Sequence, residues 1–324
     1  MKINTCIVGF GDVAAQNIKD SVTLKNYRYS THLQAMLKIK KINLEIIFDP
    51  SKKTRNIARQ MTGISNIFSS IEKAKDNLKN IDLVILTTPP HRRLGFLDKF
   101  PNLKSLIVEK PIGVNLESSK DFFREVKKKK LLCSVNYWRR YVKQFQKLKN
   151  GLAQKLIGKI QSVIIIYGNG IRNNGIHLID FLRFVCGDIK IIKTNFGTLC
   201  KESPIKDDFN INFSGVLNSG VSFSSLTVDF KNFRENGLIF FGERGTISIL
   251  NDCRTMFLNK IRKNRGISNF NEIDFTKNNF IDVDYDLAML NLYKEISQKK
   301  NKNSTIENAL INEEIVEDLV KDLK

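Results

Sequence analysis

The segment Gly9-Phe10-Gly11-Asp12-Val13-Ala14 has the spacing GxGxxA and follows a short apolar run at residues 3–8. In such a loop the first glycine allows a tight turn and the second lets the backbone approach a pyrophosphate. The small third residue lets the following helix pack against the strand. The alternative is a plain turn between a strand and a helix. We predict that a dinucleotide is bound by Gly9, Phe10, Gly11, Asp12, Val13 and Ala14.

An acidic residue, Asp49, ends the second apolar run. A carboxylate at this place can accept both hydroxyls of the adenosine ribose and would repel a 2′-phosphate, which favours NAD as the cofactor. Asp49 lies 40 residues after Gly9, about twice the usual distance, because of a Lys-rich insertion at 17–43. Lys52 and Lys53 follow closely and could receive a 2′-phosphate, so NADP stays open as the alternative.

The elements that must position these residues change in pattern near residue 136. Before it, short apolar runs alternate with helical stretches, which is typical of a parallel sheet with helical crossovers. After it, longer strand candidates follow one another, with a hairpin turn at 217–221. We predict an α/β fold with a doubly wound parallel Rossmann sheet at 1–135. The predicted second domain, 136–324, is an α+β domain with a large, mostly antiparallel sheet for substrate binding and oligomerisation.

The second domain also contains helical patterns and one polar stretch. Residues 259–282, rich in Asn and Lys, are predicted to be a loop. The last helix is assigned to the second domain, with packing back onto the first domain as an alternative. The predicted helices are 141–156, 174–186, 284–299 and 305–323.

The composition limits the class of protein. The chain has 53 basic and 33 acidic residues, a formal charge of +20, but the basic residues are scattered. We therefore expect no nucleic-acid partner, with a basic nucleic-acid surface as the alternative. No apolar run approaches the roughly 20 residues of a membrane span, so we expect no membrane partner. Five cysteines without a CxxC pair favour a reduced, cytoplasmic protein, and three histidines give no reason to expect a metal.

Two further segments make the prediction of function more specific. Glu109-Lys110-Pro111 ends one Rossmann strand, and Thr88-Pro89-Pro90 ends the strand before it. Later, residues 170–180 read GIRNNGIHLID, which looks like the motif DxGxHxxD. In this order the motifs resemble those of the Gfo/Idh/MocA family of NAD(P)-dependent oxidoreductases, which act mainly on sugars, inositols and nucleotide sugars. The resemblance covers nearly the whole chain.

The resemblance implies a role for each matching residue. Lys110 and His177 would be the catalytic pair, and Asp180 would orient them or bind substrate. Pro111 would turn the chain, often through a cis bond in this family. The implied cofactor residues beyond the glycine loop are Asp49, Thr88, Pro89, His91, Glu109 and Lys110.

The implied chemistry is consistent with these residue types. Oxidation of a secondary alcohol removes the hydroxyl proton as hydride leaves, which calls for a group that titrates near neutral pH. His177 is such a group without perturbation. Lys110 would need a lowered pKa, or could polarise the oxygen as a cation. His177 and Asp180 lie three residues apart and share one face of a helix, although this spacing also gives mere surface pairs.

The motif departs from the family pattern at Asn173, where the family has Asp. An amide cannot act as a base, but it can hydrogen-bond a sugar hydroxyl as a substrate-binding residue. The variant resembles family members of surface-polysaccharide and nucleotide-sugar pathways, and the alternative is a non-catalytic NAD(P)-binding sugar sensor or regulator. Arg140 could bind a substrate carboxylate or phosphate or only pack the domain junction. We expect a homo-oligomer, a dimer or tetramer, as in the family.

Overall fold

The structure is a computed structural model, and it describes residues 2–16, 22, 27–93, 95–276 and 279–323. The chain divides into two units. The first consists of Met1–Tyr141 and Asp286–Ile311, and the second of Val142–Tyr285 and Asn312–Lys324. The first unit therefore continues past the boundary that we placed after residue 135, and it includes a segment that we assigned to the second domain.

The first unit is built on a six-stranded sheet in the order β3-β2-β1-β4-β5-β6, in which all neighbours are parallel. This is the strand order of a Rossmann dinucleotide-binding domain. The central strands are almost wholly apolar because crossover helices cover both faces of such a sheet. The strands are β1 (Ile3–Val8), β2 (Ile42–Phe48), β3 (Ile67–Phe68), β4 (Leu83–Leu86), β5 (Ser105–Val108) and β6 (Leu132–Val135).

Three helices of this unit begin at side-chain caps that satisfy free backbone N–H groups. Thr31 caps the first helix, Ser51 the second and Asn115 the third. The connection between β4 and β5 has only two short 3₁₀ turns, Pro90–Arg92 and Leu97–Lys99. The helices are α1 (His32–Leu37), α2 (Lys52–Thr62) and α3 (Leu116–Lys128), with a long 3₁₀ segment at Ile71–Asn80.

The second unit is built on a nine-stranded sheet in the order β14-β13-β12-β11-β7-β10-β9-β8, with β15 paired to β13. Its neighbours are antiparallel except β7 and β10. The predicted hairpin turn joins β9 to β10, and Gly220 adopts a φ of +84° there. The predicted fold class is thus confirmed. The strands are β7 (Ile160–Tyr167), β8 (Ile189–Leu199), β9 (Phe209–Leu217), β10 (Ser222–Thr227), β11 (Gly237–Gly242), β12 (Gly245–Leu250), β13 (Thr255–Lys263), β14 (Asn271–Ile273) and β15 (Phe280–Asp282).

The prediction of one continuous helix over 141–156 is wrong. The segment is divided into α4 (Lys143–Lys147), a wide π-type turn at Leu148–Leu152, and α5 (Ala153–Ile157). Gly151 has a φ of +94°, which no α-helix accommodates. A helix that is apolar on nearly every side, α6 (Ile176–Cys186), lies in the same unit. Among the described residues, the further helices are α7 (Ala288–Ser297), which lies in the first unit, and α8 (Ile306–Lys321).

The prediction of a loop over 259–282 is also wrong. β13 continues to Lys263, and β14 and β15 pair with it on the outer side of the sheet. The end of β13 (residues 260–263) and β14 carry charged residues in place of the apolar alternation that marks a half-buried strand, and β15 is only three residues long. Arg262, for example, pairs with Glu272 across the β13–β14 ladder, at 2.7 Å. An edge strand held by charged pairs has no apolar signal in the sequence.

Two findings concern the chain as a whole. All five cysteines are unpaired thiols, and burial raises the pKa of Cys186 to about 12. Among the residues described, no helix combines the length and the apolar character that crossing a membrane would need.

Candidate functional site

The carboxyl ends of β2, β1, β4 and β5 lie next to one another along one edge of the six-stranded sheet. The order of strands reverses between β1 and β4, and in open α/β sheets ligands bind in the crevice outside this point. The glycine loop follows β1, Asp49 follows β2, Thr88 follows β4, and Glu109 follows β5. The fold thus brings the predicted cofactor residues of the first unit to one edge.

The glycine loop has the backbone that its residue types imply. Gly9 has a φ of +88°, and its N–H donates to the carbonyl of Phe48 at 2.8 Å. A Cβ on Gly9 would lie 3.2 Å from the Thr88 nitrogen, whereas a Cβ on Gly11 would meet nothing within 4 Å. Gly9 therefore serves the turn, and Gly11 leaves open space that a pyrophosphate can approach.

Only the first turn of the predicted helix after this loop can be described. The Ala15 N–H donates to the Gly11 carbonyl at 3.0 Å. Ala14 and Phe10 are buried, whereas Asp12 and Val13 are exposed. The continuation of the helix falls mostly on 17–21 and 23–26, which lie outside the described residues.

Asp49 is held at the end of β2 by two backbone donors. Its Oδ2 accepts from the Phe10 N–H at 2.8 Å, and its Oδ1 accepts from the Ser51 N–H at 2.9 Å. Each oxygen of a carboxylate accepts two hydrogen bonds, so each keeps one acceptor position for a ribose hydroxyl. Lys52 and Lys53, on which the NADP alternative depends, lie exposed at the start of α2.

A cleft of about 330 Å³ lies at the same edge, and it is lined by Gly9, Asp49, Glu72 and Thr88, among others. The Thr88 hydroxyl is buried, and among the described residues no hydrogen-bond partner is found for it. A buried hydroxyl normally has a hydrogen-bond partner, and a hydroxyl or phosphate of a ligand could supply it here. The two open acceptor positions of Asp49 fit the adenosine ribose of NAD, the space at Gly11 fits its pyrophosphate, and the Thr88 hydroxyl could bind a further polar group of the cofactor.

Glu109 lies at the centre of a buried polar network. Its Oε1 accepts from Nε2 of His32 at 2.9 Å and from Nδ2 of Asn136 at 2.6 Å. Nδ1 of His32 lies 2.8 Å from the Tyr293 hydroxyl. Burial by itself would raise the pKa of the Glu109 carboxyl, but the His32 and Asn136 hydrogen bonds and the charges of His32 and Lys110 outweigh it. The pKa therefore lies below its ordinary value. We assigned His32 no role from the sequence, because nothing local marks it as a partner of Glu109.

Arg93 is a second residue that the sequence did not single out. It is only 2% exposed, and its guanidinium binds backbone carbonyls on both sides of the gap between the ends of two strands. Nε and Nη2 donate to the Thr88 carbonyl at 3.0 and 2.7 Å, and Nη1 donates to the carbonyls of Glu109 and Pro111. It thus ties the segment after β4 to the segment after β5.

The remaining predicted residues of this unit differ in their surroundings. Lys110 is half-buried, and the Lys110–Pro111 peptide bond is cis, as the resemblance implied. His91 is exposed beside Pro89 and Pro90, and its Nε2 accepts from Nε of Arg92 at 3.3 Å. Arg140 is 4% exposed, and its Nη1 donates to the Asn303 carbonyl at 2.9 Å. This burial supports the packing role that we gave as the alternative for Arg140.

The motif of the second unit is organised by a buried carboxylate, Asp208. Its oxygens accept from the N–H groups of Arg172, Asn173 and Phe209 and from the Ser203 hydroxyl, at 2.8 to 3.1 Å. Gly170 has a φ of +90°, and a Cβ on it would lie 1.9 Å from Oδ2 of Asp208. Only glycine fits at the start of this loop.

The loop leads directly into α6, which carries the other predicted residues. Nδ2 of Asn173 donates to the Asn169 carbonyl at 3.1 Å. His177 is half-buried in the first turn of the helix. Asp180 is fully buried, and its Oδ1 accepts from Nδ2 of Asn312 at 2.7 Å. Asn312 is a contact 132 residues away in the chain, which no local pattern indicates.

The strand order and the glycine loop define the first unit as a Rossmann-type dinucleotide-binding domain. Comparison with known proteins specifies it further. Residues 3–137 match the family GFO_IDH_MocA, described as "Oxidoreductase family, NAD-binding Rossmann fold". This match confirms the resemblance over the first unit, and the same description confirms NAD as the predicted cofactor.

Two curated proteins are similar to longer parts of the chain. Rhizopine catabolism protein MocA of Rhizobium meliloti is 22% identical over 59% of this chain and 68% of its own length. Oxidoreductase P35 of Formosa agariphila is 23% identical over 76% of this chain and 79% of its own length. Both similarities extend beyond the Rossmann unit.

Solved structures share the fold over 99% of this chain and 96% of their own. A putative NADPH-dependent oxidoreductase of Desulfitobacterium hafniense has a TM-score of 0.77 at 15% identity. A super-repressor mutant of Gal80p from Saccharomyces cerevisiae has a TM-score of 0.76 at 16% identity. The WlbA dehydrogenase of Bordetella pertussis, solved with NADH and UDP-GlcNAcA, has a TM-score of 0.71 at 16% identity. At these identities the likeness shows the fold alone.

Proposed function

We propose that this chain is an NAD-dependent oxidoreductase that transfers hydride between nicotinamide and a hydroxyl or keto group of a sugar or nucleotide sugar, in surface-polysaccharide or sugar biosynthesis. The observation that carries the proposal is the arrangement at one sheet edge. There the Gly9–Ala14 loop, the Asp49 carboxylate and the Glu109–Lys110 segment follow β1, β2 and β5 of one parallel sheet.

The substrate class is supported by the names of similar proteins. WlbA was solved with a nucleotide sugar, and a levoglucosan dehydrogenase with the same fold was solved with NADH and levoglucosan. The chain carries a formal charge of +20, and a positive protein attracts anionic ligands such as nucleotide sugars. The neighbours include both a neutral sugar and a nucleotide sugar, and the positive charge favours the phosphate-bearing one.

When bound, NAD accepts or donates the hydride; the chain's own residues must bind it and move a proton. Asp49 would accept hydrogen bonds from the adenosine ribose, and the backbone at Gly11 would face the pyrophosphate. Lys110 would polarise the substrate oxygen or exchange its proton, and His177 is the second proposed proton-transfer group. Asn173 would bind a substrate hydroxyl instead of acting as a base.

The first test is the thermal stability of the purified protein with NAD(H) and with NADP(H), measured separately. A ligand at 100 times its dissociation constant stabilises by about 2.7 kcal/mol. We expect NAD(H) to raise the unfolding temperature more than NADP(H) does, followed by turnover in a screen of nucleotide sugars. If neither pair stabilises the protein, the proposal is wrong.

One observation favours a second function, a non-catalytic NAD-binding regulator. Asn173 replaces the family's carboxylate, and its side-chain NH2 group donates a hydrogen bond to the Asn169 carbonyl. The fold itself is compatible with such a role, since the Gal80p structure is named a repressor. NAD(H) binding without turnover of any sugar tested would favour the regulator.

The proposal includes a homo-oligomer, a dimer or tetramer, in the cytoplasm. Exposed apolar side chains on β8 and β10 support association; they include Ile191, Phe196, Leu199 and Leu226. Five unpaired thiols are consistent with a reducing compartment. Light scattering of the purified protein tests the association, and a monomer at micromolar concentration would contradict it.

A further inference from the structure

The inference concerns the place where β4 and β5 part. The ladder between them ends at the pair Leu86 and Val108, and the last backbone bond runs from the Glu109 N–H to the Leu86 carbonyl at 3.2 Å. Beyond this point backbone hydrogen bonds no longer set the distance between Thr88 and the Glu109–Pro111 segment. The Arg93 guanidinium spans this gap instead.

We call the hydrogen bonds of Arg93 to the Thr88, Glu109 and Pro111 carbonyls the Arg93 clamp. Its geometry depends on the planar shape of the guanidinium. On one side of the guanidinium, Nε and Nη2 both donate to the carbonyl of Thr88. The third nitrogen, Nη1, donates to the carbonyls of Glu109 and Pro111, the two residues that flank Lys110. A lysine carries its three N–H groups on one point and lacks this fixed fork. The backbone of Lys110 is therefore held through its two neighbours by one side chain.

The position of the clamp in the sheet indicates which part of a ligand it serves. In a Rossmann domain the two halves of a dinucleotide lie over the two halves of the sheet, on either side of the β1–β4 switch point. Asp49 and the glycine loop belong to the adenosine half. Arg93 acts on the half formed by β4, β5 and β6, over which the nicotinamide half would lie.

We propose that Arg93 is a positioning residue that fixes Thr88 and the Lys110 backbone in the relative position required by the nicotinamide half of the cofactor. The inference rests on the proposed function, because it assumes that the edge binds a dinucleotide. It adds a residue that does not touch the reacting atoms but sets the spacing of those that do.

The test compares two ligands that use different parts of the edge. NADH affinity is measured by fluorescence titration and ADP affinity by calorimetry, for the wild type, for Arg93→Lys, and for Arg124→Lys as a matched control. Arg124 is an exposed arginine of the same unit that pairs with Glu117 and Asp121 on α3. Urea unfolding of each variant ensures that all titrations are made on folded protein.

We expect the NADH affinity of the Arg93→Lys variant to fall by about tenfold or more. This magnitude corresponds to the loss of one hydrogen bond to a charged group. Its ADP affinity should stay within about twofold, because the hydrogen bonds that Asp49 and the glycine loop would make to ADP are unaffected. The control should match the wild type for both ligands. If Arg93→Lys does not fold, Arg93→Gln, which keeps a planar donor, is used in the same comparison.

Three outcomes would overturn the inference in distinguishable ways. An unchanged NADH affinity in Arg93→Lys would show that the clamp is dispensable, with the proposed function intact. An equal loss of NADH and ADP affinity would show that Arg93 only supports the fold. A wild type that binds ADP but not NADH, or neither, would refute the proposed function together with the inference.

Discussion

Replacing Gly11 by alanine separates the cofactor role of the glycine loop from its structural role. The φ of Gly11 is outside the left-handed region, and a Cβ there would meet no protein atom within 4 Å. We therefore expect Gly11→Ala to change the free energy of unfolding by less than about 1 kcal/mol, since the mainly affected quantity is the entropy of the unfolded chain.

The same methyl group would occupy the space in which the pyrophosphate approaches the backbone. Loss of a hydrogen bond to a charged group weakens binding by about 1.5 to 3 kcal/mol. This corresponds to a fall in NADH affinity of roughly 10-fold to 150-fold. Gly9→Ala provides the contrast, because its φ of +88° and a Cβ contact of 3.2 Å to the Thr88 nitrogen also destabilise the fold, by about 1 to 2 kcal/mol from the backbone alone.

The assay pairs NADH fluorescence titration with urea unfolding for both variants. Gly266→Ala is the control, because Gly266 lies in the other unit with only one contact, at 3.8 Å, for an added Cβ. It should change neither quantity appreciably. A Gly11→Ala protein that is as stable as the wild type and binds NADH equally well would refute the reasoning, and the loop would then be no more than a turn.

Three further predictions address other parts of the chain. Lys110→Ala should lower turnover by at least about a hundredfold in steady-state kinetics while NADH still binds; near-normal turnover would remove Lys110 from the proposed chemistry. Gly170→Ala should lower the free energy of unfolding by about 3 kcal/mol, since its Cβ would meet Asp208. The control Gly63→Ala, with a φ of +71° but open space, should cost about 1 kcal/mol in the same urea titration. The depressed pKa of Glu109 means that its ionised form stabilises the fold above the ordinary carboxyl pKa of 4.5. The stability advantage of the wild type over Glu109→Gln should be constant above that pH and shrink as the pH falls through the folded-state pKa; an advantage that grows in acid would contradict the assignment.

The parts of the fold that the sequence predicted are those with local signals. Short apolar runs ending at Gly9, Asp49 and Glu109 are strands in the structure, and their order places them at one edge. The cis Lys110–Pro111 bond was implied by the resemblance of the Glu109-Lys110-Pro111 motif to the family. Each of these features depends on residues close together in the chain, which a pattern can read.

The contacts that the sequence did not predict join residues that are far apart in the chain. His32 reaches Glu109 over 77 residues, and Asp208 reaches Asn173 over 35. A lone histidine in a polar insertion and a pair of aspartates before a strand resemble solvated surface residues. Only the tertiary fold turns them into buried partners of the motifs.

Edge strands escaped prediction for a different reason. β13 to β15 are held by ladders and by ion pairs such as Arg262 with Glu272 and Asp274. Charge on an edge discourages pairing with other chains, and in β14 and the end of β13 it replaces the apolar period by which strands are recognised.

The Arg93 clamp has an evolutionary consequence. Its acceptors are main-chain carbonyls of Thr88, Glu109 and Pro111, and every amino acid supplies a carbonyl. Selection can therefore exchange the side chains at positions 88 and 109 to suit a different ligand without loss of the clamp's acceptors. One side chain can in this way maintain the architecture of the edge while its recognition surface diversifies among descendants.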